Sequence, residues 1–191
     1  MRTERPPVVR ALAVAAALVV VTGCGTSQPA PPGAPASPAA VDPAAADLSA
    51  TDLAFVDLVI PQNESALAAL ALTATRPGSA LRPVADRLGE DYRAELALAR
   101  ELLARAGRQE SGQHEGHDMP GMITAAELAA AGTADGEAFD EHLEALLRTQ
   151  SEEARTVARA ELTSGTSATA RELGARIDRS RAEFLALLGA P

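Results

Sequence analysis

Lysine and tryptophan are absent from this 191-residue sequence, cysteine occurs once, and aromatic residues make up 2%. The single Cys24 excludes a disulfide within the chain. Aromatic and β-branched residues are thin outside the N-terminal segment, so strands have little to build on. A core of Ala, Leu and Val favours close-packed helices instead. All 17 basic residues are Arg, set against 26 acidic residues, for a formal charge of -9. That balance excludes the basic footprint nucleic acid requires. No Glu-x-x-His occurs, so the ligand set of di-iron carboxylate bundles is missing. A Ser-His-Asp ordering, a glycine-rich phosphate loop and a cysteine nucleophile are also missing, and we expect no enzyme.

The N-terminus reads as an address. Arg2, Arg5 and Arg10 form a positive region, Ala11 to Val21 is an apolar run, and Val21-Thr22-Gly23-Cys24 reads as a lipobox. The run is too short to span a bilayer comfortably. We therefore expect residues 1–23 to be a lipoprotein signal peptide and Cys24 to be lipidated, placing the protein on the outer face of a bacterial cytoplasmic membrane. A secreted protein with a free N-terminal thiol is the alternative. Cleavage removes three Arg and one Glu, taking the charge from -9 to -11. Residues 24–46, mostly Pro, Ala, Ser and Gly, read as a disordered tether.

The rest is duplicated. Reading residue n against n+88 pairs Leu58 with Leu146, Gln62 with Gln150, Glu64 with Glu152, and Arg93-Ala94-Glu95 with Arg181-Ala182-Glu183. Each copy predicts a helical hairpin, repeat one over 47–107 and repeat two over 136–191, joined by a crossover at 108–135. The first helix carries Leu53, Val56, Ile60, Asn63, Leu67 and Leu70 on one face, with Pro61 expected to kink it. The second starts near Pro83 and stops at Gly107. Thr124-Ala-Ala-Glu127 is a capping box for a short crossover helix. Asp135 is a plausible cap for the third long helix, with Phe139, Leu143, Leu147, Gln150, Ala154 and Val157 on one face. Thr163 to Thr166 breaks it, and the last helix shows Leu173, Ile177, Ser180, Phe184 and Leu187. The predicted fold is an all-α four-helix bundle whose two stripes bury each other. Polar residues interrupt those stripes at matching depth: Gln62 and Asn63 in one copy, Gln150 and Ser151 in the other. They form either a ligand site or a hydrogen-bonded layer that fixes register.

Between the hairpins lies His114-Glu-Gly-His117-Asp-Met119-Pro-Gly-Met122. Imidazole with thioether suits Cu(I), and the His pair also admits Cu(II), so these four residues are a candidate copper site. The alternative is that the segment docks the crossover, with the Met side chains filling a gap. His142 reads as a surface residue, or as a group that completes the linker site.

The segment Asp52 to Ala66, with Phe55, Pro61 and then Gln62-Asn63, together with His117 to Met122, Glu127-Leu128 and Gly136 to Asp140, resembles a bacterial family called domain of unknown function 305. The resemblance runs from Asp47 to Leu188 and implies a ferritin-like bundle, usually extracytoplasmic, with copper or other metal binding in some members through His pairs and Met. Gln62-Asn63 and Gln150-Ser151 stand where the family has those His pairs, so the helical metal ligands are lost at these positions. Glu95 and Glu183 match a recurrent family Glu; di-iron chemistry being excluded, they are expected to be solvated or paired with Arg. Two readings follow: a metal-handling lipoprotein that holds copper at the crossover, and a scaffold or interaction module, its partner unidentified, that has lost metal.

Overall fold

The computed structural model describes residues 48–114 and 117–188, and these are all-helical with no strand among them. The signal peptide, Cys24 and the tether lie outside the described residues.

Helix α1 (Ala50–Ala71) begins at a capping box in which Ser49 and Asp52 exchange side-chain and backbone hydrogen bonds, satisfying two otherwise orphaned amides. It runs unbroken through Pro61 and tightens into a 3-10 turn, Leu72–Thr75. Helix α2 (Arg82–Arg105) has Pro83 in its first turn, where no backbone donor is lost. It stops at Gly107, whose φ of 65° lets the Gly107 and Arg108 amides reach back to the Ala104 and Leu103 carbonyls at 3.0 and 2.8 Å.

Helix α3 (Ala125–Thr133) rides on the crossover behind its Thr124–Glu127 capping box. Helix α4 (Gly136–Ser164) follows Asp135, which sits at the cap position but makes no side-chain capping bond. Helix α5 (Ala168–Leu188) completes the chain's described part.

Helix α1 packs on α2 and α4, and α5 packs on the same two helices. The contact of Asp52 with Thr166, and the pairing of Arg87 with Glu183 and of Asp91 with Arg176 further along, make each neighbouring pair antiparallel. The crossover therefore has to travel from one end of the bundle to the other. At the far end Arg76 fastens it, donating to the carbonyls of Gly132 (2.6 Å) and Ala134 (3.0 Å) while lying 4.3 Å from the Phe139 ring centre.

The apolar stripes form two core clusters. One gathers Phe55, Val59, Leu102, Leu103, Leu173 and Ile177; the other gathers Leu70, Leu88, Phe139, Leu143, Leu147 and Phe184. Each such side chain contributes about 1.5–3 kcal/mol on burial. Leu187, assigned to the core face by spacing, is instead 55% exposed. Leu188, one turn after the buried Phe184, packs partly buried against the core in its place. Polar residues fill the level between the two clusters.

Candidate functional site

The level between the clusters is built from all four long helices. Its centre is an ion pair with no solvent exposure: Arg181 Nη2 donates to Glu95 Oε2 at 2.6 Å, and Nη1 to Oε1 at 3.2 Å. Asn63 joins it on both sides, accepting from Arg181 Nη2 through Oδ1 at 3.2 Å and donating through Nδ2 to Glu95 Oε2 at 3.2 Å. Ser180 donates to Glu95 Oε1 at 2.9 Å. The guanidinium lies 3.6 Å from the centre of the buried Tyr92 ring, and the Tyr92 hydroxyl donates to Gln150 Oε1.

Burial works against the Arg181 charge, but the facing Tyr92 and Glu95 hold its pKa above the ordinary value. Burial likewise pushes the Tyr92 hydroxyl up. Both shifts favour the protonated forms. Three atoms of this level, Gln150 Nε2, Ser151 Oγ and Arg181 Nε, find no partner among the described residues.

Gln62, Asn63, Gln150 and Ser151 are all buried, as the interrupted stripes require. They do not suit a metal ion. Amides and a hydroxyl are weak donors for a soft cation. The nearby carboxylate, Glu95, is already taken up by Arg181, Asn63 and Ser180, and a second cation would have to sit against a permanently charged guanidinium. Glu183, the repeat partner of Glu95, is exposed and lies 3.6 Å from Arg87.

The crossover residues lie elsewhere. Gln62 turns outward to donate to the Pro120 carbonyl at 2.8 Å, the Ile123 amide donates to Ser65 Oγ at 3.1 Å, and the Gly121 amide donates to the Glu153 carboxylate. Ile123 is buried, whereas Met119 and Met122 are only half-buried. What docks this segment is thus backbone hydrogen bonding around Gly121 together with Ile123. Gly121 has a φ of 78° and leaves no room for a β-carbon against Gln62.

His114 and His117 bracket one turn, with the His117 amide 3.3 Å from the His114 carbonyl, and Met119 and Met122 bracket the next at 3.0 Å. His114 is half-buried and His117 exposed; His142 is exposed. Among the described residues no cluster of three or more His, Cys, Asp and Glu is placed to hold a metal.

A second buried polar cluster was not anticipated. Asp52, fully buried, accepts hydrogen bonds from the Ser49, Thr166 and Ser167 amides and from the Thr166 hydroxyl at 2.7–3.1 Å. Glu161, 1% exposed, lies at the same corner, against Gly165. The seam read on the third helix would have reached Glu161 if continued from Ala154 by steps of four and three. The same step of four from Ile177 reaches Arg181.

The sequence profile of DUF305, a domain of unknown function, matches residues 52–188. Two solved structures share the fold: a DUF305 fragment from Deinococcus radiodurans (TM-score 0.66, 18% identity, 75% of this chain and 97% of that one) and a DUF305 protein from Streptomyces coelicolor whose name predicts secretion (TM-score 0.65, 17% identity, 72% and 88%). No curated protein matches the sequence.

Proposed function

The chain belongs to the DUF305 family, and from that membership we propose that it is a non-catalytic extracytoplasmic lipoprotein, anchored through Cys24, whose bundle is a rigid scaffold for contacts with an envelope partner. The observation that carries this reading is the Glu95–Arg181 pair. It gives the level where a helical metal site would lie a fixed internal cation, satisfied by its own carboxylate. No nucleophile or acid-base pair opens onto solvent at this level, since Tyr92, Glu95 and Arg181 are all closed off. The lipobox supports the location, and the name of the Streptomyces neighbour agrees with it.

A second reading, copper held at the crossover, is favoured by the two successive turns that bracket His114 with His117 and Met119 with Met122. One titration separates the two. The non-lipidated chain from Ala44 to Pro191 is titrated calorimetrically with Cu(I) under anaerobic reducing conditions, and separately with Cu(II). The scaffold reading expects no saturable binding. About one ion bound at micromolar affinity or tighter, lost in the His114→Ala, His117→Ala variant, would replace it with the copper reading.

A further inference from the structure

The corner between α4 and α5 holds a carboxyl group for which the fold has made room. Glu161 lies on the inner face of α4, and two glycines line it. Any side chain at Gly165 would collide with its carboxyl group, and a β-carbon at Gly174 would come within 3.5 Å of its Cγ. Neither carboxyl oxygen receives a hydrogen bond from a donor among the described residues. An ionised carboxylate buried in that state is costly, whereas a protonated one has a donor of its own to give. Glu161 lies against Gly165, and Asp52 accepts from the amides of Thr166 and Ser167, the next two residues, so the two carboxyl groups meet at one corner. The charge of Asp52 is fixed there by the amides that open α1 and α5.

We propose that Asp52 and Glu161 share one proton and form a pH-sensitive latch between the start of α1 and the α4–α5 corner, closed while Glu161 is protonated.

The charged groups facing Glu161 are Asp52 of α1 and Arg171 of α5; α2 brings the apolar Leu102 and Leu103 to the same core cluster. Burial, then the nearness of Asp52 as acceptor for a proton on Glu161 and as a like charge, raise Glu161 from 4.5 to about 7, with Arg171 pulling the other way. Burial opposes ionisation of Asp52 as well, but the hydrogen bonds it accepts from Ser49 and Ser167 hold it well below the carboxylate range. The two values have been driven apart, as happens when two carboxyl groups share a site. Because the folded value for Glu161 lies above the unfolded one, the stabilisation is complete below about pH 4.5 and is lost as the pH rises through 7. The folding constant should then fall on the order of a hundredfold between pH 5 and pH 9 through this group alone.

Two measurements on the full chain test the latch. Carbon-13 NMR of the Glu161 side-chain carboxyl in the wild type should give a titration midpoint near 7; a midpoint near 4.5 overturns the proposal. Denaturant unfolding of wild type and Glu161→Gln is followed from pH 5 to 9. The Gln amide keeps a donor toward Asp52 without a titrating proton. The variant should lack the hundredfold alkaline loss; the same slope in both proteins also overturns the proposal.

Discussion

Arg93 and Arg181 occupy equivalent positions in the two hairpins, yet Arg93 is exposed and Arg181 has no exposure at all. Glu95 and Glu183 do the reverse: the first-copy residue is buried and the second-copy residue lies at the surface. Helix α5 is rotated relative to α2, so one copy supplies the anion and the other the cation. The two hairpins are joined at their centre by a contact neither could make with a copy of itself.

A fully desolvated pair is most costly when only half is removed. Glu95→Ala or Arg181→Ala should each destabilise by about 3–5 kcal/mol, because the remaining charge is buried without its partner. A double change to apolar residues of similar volume, Glu95→Leu with Arg181→Met, should recover most of that loss. Denaturant midpoints at constant m-value read the cycle. Single variants within 1 kcal/mol of the wild type would contradict the account.

Gly121→Ala probes how the crossover is held. The position needs a positive φ and lies against the Gln62 side chain. The substitution should cost about 1–3 kcal/mol in backbone strain alone. Its distinguishing effect is local: the Ile123 amide, bonded to Ser65 Oγ, should lose hydrogen-exchange protection more than the amides of α4. Equal loss everywhere would mean that the segment is not a separately docked unit.

The helices were legible because their punctuation is local. Thr124 with Glu127, Pro83 and Gly107 each act within one turn of the residue that carries the signal. The polar level was legible in its uncharged half and, for Glu95, in the expected pairing with Arg, but not in the burial of that pair. Gln62, Asn63, Gln150 and Ser151 interrupt apolar stripes, whereas the burial of Glu95 and Arg181 depends on each other and on Asn63, across separations of 32 to 118 residues. Charge defaults to solvent unless a specific partner meets it, and spacing, which brings Arg181 and Glu161 onto the core face, does not say which partner that is.

On the copper reading the two turns of the crossover predict different metal preferences. Met119→Leu with Met122→Leu removes both thioethers while keeping side chains of similar bulk. Cu(I) affinity should fall at least about tenfold and Cu(II) affinity should change little, since imidazole serves both ions and thioether mainly the softer one. Parallel losses for both ions would mean that the Met residues act by shaping the loop.

Asp52 sets the acid side of stability. Four donors converge on its carboxylate. In Asp52→Asn one acceptor oxygen becomes an amide that faces donors, leaving at least one of them orphaned, for an expected loss of about 1–3 kcal/mol near pH 5. The pH dependence separates lost charge from lost packing. Because the folded carboxyl lies below its ordinary value of 3.8, its stabilisation is complete above that value and is lost as the pH falls through the folded one. The Asn side chain does not titrate and carries no such loss. The stability gap between the two proteins should therefore narrow steadily as the pH is lowered below about 4. A gap that stays constant from pH 5 to the acid limit would mean that the shape of Asp52, and not its charge, holds the starts of α1 and α5 together.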